Sequence, residues 1–227
     1  MRYTIGIVDE DSDQQEEIRR TIKTNTPVGM EPPEFTAYID SGDATFSLEE
    51  IMKRIKADLS EHHVDGLIID YKLVRPTANL HGSDIYRQLN DLVPKLPVIL
   101  LTNHPKSCHD SPYVDADKVY PKDQFFKIEE PFSKEKVKYI LENVSKYVSQ
   151  RAKLQQAFEN ELNKFKKDSS DFERYSRLVA LEDELARFVP QDPSASIGSL
   201  NIESLREAVE LIDKAYTIMG ECDGETV

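Results

Sequence analysis

The sequence predicts an α/β fold: a doubly wound five-stranded parallel sheet followed by an all-helical C-terminal region. Three observations predict it. Five short apolar runs alternate with stretches of helical spacing, the pattern of a parallel sheet covered on both faces. Four polar residues, Asp9, Asp70, Thr102 and Lys122, stand at the ends of four of those runs. From Ser133 onward the apolar residues keep to a helical period.

The elements follow in order. Residues 3–8 read as a buried strand that stops at Asp9-Glu10-Asp11, and Ser12 is placed to cap a helix carrying Ile18 and Ile22. A loop with Pro27, Pro32 and Pro33 precedes a second strand over 35–39. Ser47 to Glu50 spell a capping box, which opens a helix with Ile51 and Ile55 inward. Residues 66–71 form the third strand. A long loop reaches Gly82, and Ser83 caps a helix to about Leu92. Residues 97–102 are the fourth strand. Pro105 and Pro112 keep any helix over 103–116 short, and 117–121 form a brief fifth strand before Lys122.

Ser133 is placed to cap a long helix, free of Pro and Gly as far as Lys167. That is roughly 50 Å if unbroken, so it is predicted to project or to kink near 149–153. Asp168-Ser-Ser-Asp171 marks a break, and two more helices are predicted over 172–189 and 202–219. The organisation expected is therefore residues 1–148 as one domain and 149–227 as a helical extension, a bundle or a coiled-coil-like seam.

Composition narrows the function. The chain of 227 residues has 39% hydrophobic and 31% charged residues and a net charge of −13. No apolar run approaches the roughly 20 residues of a membrane span, and the N-terminus lacks the pattern of a signal peptide. Cys108 and Cys222 make no disulfide or metal pattern, so a reduced, cytoplasmic location is expected. The acidic balance disfavours nucleic acid. Residues 149–227 repeat it, with 10 Lys and Arg against 16 Asp and Glu.

In doubly wound sheets the reactive groups gather at the carboxyl ends of the strands. Carboxylates crowded there repel one another when ionised. A hard, oxygen-seeking cation such as Mg²⁺ relieves that repulsion. A carboxylate beside such a cation can attack phosphorus and become an acyl phosphate. Lys122 would supply fixed positive charge for the phosphate oxygens, and Thr102 a hydroxyl.

These residues also carry a resemblance. Ile7 to Glu10, Asp65 to Asp70, Gly82, Pro97 to Thr102 and Ala116 to Lys122 stand in the order found in receiver domains of two-component response regulators. The spacings are 32 residues from Asp70 to Thr102 and 20 from Thr102 to Lys122. Residues 1 to about 148 resemble that flavodoxin-like family. The resemblance implies that Asp70 is the phosphoacceptor, taking its phosphoryl group from a phosphohistidine on a sensor histidine kinase or phosphotransfer protein. It implies Mg²⁺ held by Glu10 and Asp70, by Asp9 through water, and by the Lys72 carbonyl. It implies a switch in which Thr102 moves toward the phosphoryl group while Lys122 pairs with it.

The sequence departs from the family pattern at Glu10, where Asp is usual, and in a longer segment between Asp70 and Gly82. Further departures are Asn103 after the switch residue, Asp123 after Lys122, and Val119 where an aromatic is usual. Tyr120 next to it should point to the opposite face of the strand. The resemblance places Lys72, Asn103 and His104 beside the phosphoryl group as residues that tune its lifetime, and slow self-dephosphorylation is expected. No catalytic motif of another class is evident, so the chain reads as a phosphoacceptor regulatory protein rather than an enzyme. Its output would be a protein–protein interaction, as a homodimer or with another partner, through the helical extension. The alternatives are a phosphate sink or carrier, and a scaffold that keeps the fold without being phosphorylated.

Overall fold

The computed structural model describes residues 2–40, 46–75, 78–105, 114–165 and 172–190. The strands among them are β1 (Thr4–Val8), β2 (Glu34–Ala37), β3 (Gly66–Asp70), β4 (Lys72–Arg75), β5 (Ala78–His81), β6 (Val98–Thr102) and β7 (Val119–Pro121). Five of them form one sheet in the order β2-β1-β3-β6-β7, and every pairing in it is parallel. The doubly wound α/β fold is thus the architecture observed. All five residues of β3 and of β6 are buried, as continuous apolar runs in a covered parallel sheet require.

Successive side chains of a strand point to opposite faces, and the core divides accordingly. On one face Leu67, Ile69, Leu100 and Val119 pack with Ile51, Ile55, Ile85 and Leu89. These come from helices α2 (Leu48–Ser60) and α3 (Gly82–Leu92). On the other, Ile5, Ile7, Ile68, Leu101 and Tyr120 pack with Ile18, Ile22, Val137 and Leu141. These come from α1 (Ser12–Thr24) and from the long helix described below. Val119 and Tyr120 fall on opposite faces, as the strand period demands.

Helix starts shift by a residue or two from the expected ones. Asp11, not Ser12, caps α1, its carboxylate accepting from the N–H groups of Asp13 and Gln14. The capping box at Ser47 and Glu50 is present in both of its bonds. Helix α3 opens at Gly82 rather than after Ser83, with His81 at the cap position and no side-chain cap bond. A short turn of 3-10 helix (Ala116–Lys118) takes the first part of the predicted fifth strand. After β7 comes the single-turn helix α4 (Lys122–Phe125), and then α5 (Pro131–Phe165). Pro131 opens α5, a position suited to a residue without an N–H. Ser133 lies inside it, and its hydroxyl donates to the Phe125 carbonyl at 2.6 Å.

The segment predicted as a loop between Asp70 and Gly82 is instead an antiparallel ladder. β4 pairs with β5 in the register Lys72↔His81, Leu73↔Leu80. Leu73 is fully buried in the main core and Leu80 packs against it, which anchors the ladder beside β3.

Helix α5 runs 35 residues and continues through 149–153, where the sequence predicts that it projects or kinks. Arg151, in the middle of that stretch, is buried against Asp65 at 3.0 Å, with both side chains about one-tenth exposed. Its guanidinium also lies over the Tyr147 ring, 5.2 Å from the centroid. Removing one member of such a pair strands the other charge. Asp65→Asn is expected to cost about 3 kcal/mol in urea unfolding; an unchanged midpoint would show that the pair contributes nothing.

The chain divides into two compact units. One comprises Met1–Ala157 and Glu184–Pro190, and the other contains Phe158–Asp183. In the first, the Phe188 ring stacks on Tyr147 at 5.7 Å, and the Lys95 N–H donates to the Arg187 carbonyl at 3.0 Å. In the second, helix α6 (Phe172–Leu185) begins. There Leu178 is buried and the Tyr175 ring meets Phe165 at 6.1 Å. The predicted break at 168–171 and the predicted helix over 202–219 lie outside the described residues.

Candidate functional site

Four elements of the sheet deliver the site. β1 ends at Val8, so Asp9 emerges at its carboxyl end, fully buried. β3 ends on Asp70, 8% exposed and therefore within reach of solvent. β6 ends on the buried Thr102. Lys122 follows β7 and is 3% exposed. The order β1-β3-β6-β7 sets these ends side by side, at the edge where doubly wound folds bind ligands.

The side chains converge. Lys122 Nζ donates to Asp9 Oδ2 at 3.1 Å and lies 2.9 Å from Asp70 Oδ2. One carboxylate oxygen each of Asp9, Glu10 and Asp70 falls within 4.8 Å of the others. Asp9 Oδ1 accepts from the Asp11 N–H at 2.9 Å. Burial, the largest influence, pushes the Asp9 carboxyl up from 3.8 to about 6; the Lys122 ammonium opposes that and the Asp70 carboxylate adds to it. Three carboxylates around one ammonium leave the pocket net negative when all are ionised.

That donor set fits a divalent cation. It consists of hard oxygen donors, it is buried enough to raise the Asp9 carboxyl, and it is open at Asp70. Asp9, Glu10 and Asp70 are the side chains that could hold such an ion. The ladder β4–β5 adds backbone. The Gly82 N–H donates to the Tyr71 carbonyl at 2.9 Å, so the next pair, Lys72↔His81, is of the non-hydrogen-bonded kind. The polar backbone groups of Lys72 therefore face away from β5. Its N–H donates to Asp70 Oδ1 at 3.3 Å, and on an extended residue the carbonyl shares that edge.

The remaining predicted residues are placed less centrally. Thr102 Oγ1 accepts from the His104 N–H at 2.9 Å, so its hydroxyl is engaged with the loop that follows it. The side chains of Lys72, Asn103 and His104 are exposed.

Two residues of the site escaped the sequence reading. Gln14 Oε1 accepts from Lys122 Nζ, and its Nε2 donates to Asp11 Oδ2 at 3.2 Å. Gln15 is buried, and its Nε2 donates to the carbonyls of Asp9 at 2.8 Å and Ile39 at 2.9 Å. It thereby fixes the backbone where β1 ends. The signal available for Gln14 was the Asp11-x-x-Gln14 spacing of a capping box, which marks the residue as near the acids.

No family model matches the sequence, and no curated protein matches it. Among solved structures the chain is similar to a bacteriophytochrome response regulator, at 12% identity over 64% of this chain and 94% of that one, with a TM-score of 0.42. Among the described residues no helix is long and apolar enough to cross a membrane.

Proposed function

We propose that this chain is a response-regulator receiver that accepts a phosphoryl group on Asp70. The observation that carries this reading is the Lys122 ammonium lying against Asp9 and Asp70, at 3.1 and 2.9 Å, in a buried pocket where Glu10 completes a trio of carboxylates. A structural ion pair needs one carboxylate. Three, with the outermost reachable from solvent, are an expensive arrangement unless a cation and an anion are to be bound.

An Asp70 oxygen attacks the phosphorus of a phosphohistidine or a small phosphodonor. The new P–O bond forms as the P–N or P–O bond to the donor breaks, and the electron pair leaves with the donor. Asp70 thereby becomes a neutral acyl link, its charge balanced by the electron pair that leaves with the donor, and the phosphoryl group brings its own oxygen charges into the pocket. Lys122 would pair with those oxygens, and the Thr102 hydroxyl, at the end of the neighbouring strand, would donate to them. Asp9, Glu10, Asp70 and the Lys72 carbonyl would hold Mg²⁺, which when bound neutralises charge between the acceptor and the incoming phosphate. The donor would be a sensor histidine kinase or a phosphotransfer protein, and the output a protein–protein interaction through the helical extension.

The test is labelling with acetyl phosphate or phosphoramidate in the presence of Mg²⁺. Wild type is expected to gain one phosphoryl group, and Asp70→Asn none. An unlabelled wild type would refute the reading, as would an Asp70→Asn variant that labels equally well. Adding beryllofluoride with Mg²⁺ and measuring hydrodynamic size then separates a switch, whose size changes, from a phosphate sink, whose size does not.

A further inference from the structure

An ammonium has three N–H donors and no acceptor. All three of those on Lys122 are spoken for here, by Asp9 Oδ2 and Asp70 Oδ2 and by Gln14 Oε1. The third partner has an unusual origin. Gln14 is the third residue of α1, and Asp11 is its cap. In a capping box the side-chain oxygen at that position turns back to accept the backbone N–H of the cap residue. That N–H is already taken, because Asp11 N donates to Asp9 Oδ1 at 2.9 Å. The Gln14 oxygen is thereby released and turned to Lys122 instead. Its amide orientation is forced at both ends: the ammonium only donates, and the Asp11 carboxylate that receives Nε2 at 3.2 Å only accepts.

We infer that Gln14 is a positioning residue for phosphoryl transfer, holding the Lys122 ammonium aimed at Asp70 while its anionic partner changes from that carboxylate to the phosphoryl group. The inference rests on Asp70 being the phosphoacceptor. As the P–O bond forms, Asp70 Oδ2 ceases to be an anionic partner, and one Lys122 N–H is left to donate to an oxygen of the incoming phosphoryl group. Asp9 and Gln14 keep the other two protons. The ammonium therefore stays at the pocket with one donor free and directed. Without the Gln14 oxygen, a second donor lacks a partner and the flexible lysine stem is held at one point only.

The test uses the full chain, Mg²⁺ and phosphoramidate, with the rate of phosphorylation followed against donor concentration. Gln14→Met keeps size and shape and removes the acceptor. It is expected to lower the maximal rate about tenfold while leaving the half-saturating donor concentration within about twofold. Gln14→Leu, which likewise removes the acceptor without adding charge, is expected to be slowed to the same degree. A Gln14→Met variant as fast as wild type would overturn the inference and leave the phosphoacceptor reading intact. A Gln14→Leu variant as fast as wild type would do the same, since loss of the acceptor could then not be the cause. An unlabelled wild type would remove both.

Discussion

Gly82→Ala is expected to destabilise the first unit by about 3 kcal/mol and to slow labelling of Asp70 by about 100-fold. A Cβ at residue 82 would lie 2.1 Å from the Asp70 carbonyl oxygen, 3.0 Å from its carbonyl carbon and 2.9 Å from Ile69 Cγ2. The first two are backbone atoms of Asp70, the proposed phosphoacceptor, so no rotamer change relieves the clash. Ile69 is fully buried and has no room to retreat. Either α3 moves outward, opening the contact between Ile85, Leu89 and the sheet, or the end of β3 moves. In the second case Asp70 shifts against Lys122, and misplacement by about 1 Å is enough for such a rate loss.

Gly29 offers a control. It has a φ of +92° with nothing within 4 Å of an added Cβ. Gly29→Ala should thus cost about 1 kcal/mol through backbone strain alone and leave labelling unchanged. Urea unfolding and phosphoramidate labelling of both variants check this. A Gly82→Ala chain with wild-type stability and rate would show that the close approach is not a constraint.

The requirement at Gly82 shows how much of this architecture could be read in advance. Strands buried on both faces read as unbroken apolar runs, so the point where polarity returns marks the carboxyl end. Asp9, Asp70, Thr102 and Lys122 were legible for that reason, and so was the meeting of Asp9, Asp70 and Lys122. The ladder β4–β5 was not. Each strand of it contributes one inward leucine, Leu73 or Leu80, and a single apolar residue defines no period. Arg151 was not legible either. A charged residue in a long helix reads as solvated, and only the distant Asp65, 86 positions away, makes its burial tolerable. Gln14 depended on a competition over one N–H group that is decided in three dimensions. The start of α1 was misplaced by one residue because two capping residues, Asp11 and Ser12, stand side by side and both types serve equally in isolation.

The pH dependence of stability should expose the strain built into the pocket. Asp9 titrates at about 6 in the folded chain against 3.8 in the absence of burial. Between those values the folded state holds more protons than the unfolded one, so stability falls as pH rises. The contribution is fully present below about pH 4 and lost above about pH 6, and it amounts to about 3 kcal/mol at roughly 1.4 kcal/mol for each pH unit of the gap.

Other carboxyl groups titrate in the same range, so the informative quantity is the difference between wild type and Asp9→Asn, which keeps shape and an acceptor but cannot ionise. In EDTA, Asp9→Asn is expected to be more stable than wild type at about pH 7.5, with the gap narrowed to about 1 kcal/mol by about pH 4.5. Mg²⁺ selects the ionised form, so it should raise the wild-type midpoint at the higher pH, act weakly at the lower, and act weakly on Asp9→Asn throughout. Urea unfolding at the two pH values, with and without Mg²⁺, measures all of this. Parallel pH curves for the two proteins would mean that burying Asp9 carries no electrostatic cost, and the case for a cation in the pocket would then lose its physical motive. If the curves diverge and Mg²⁺ removes the divergence, the carboxylate that weakens the ion-free fold is the one through which the ion is bound.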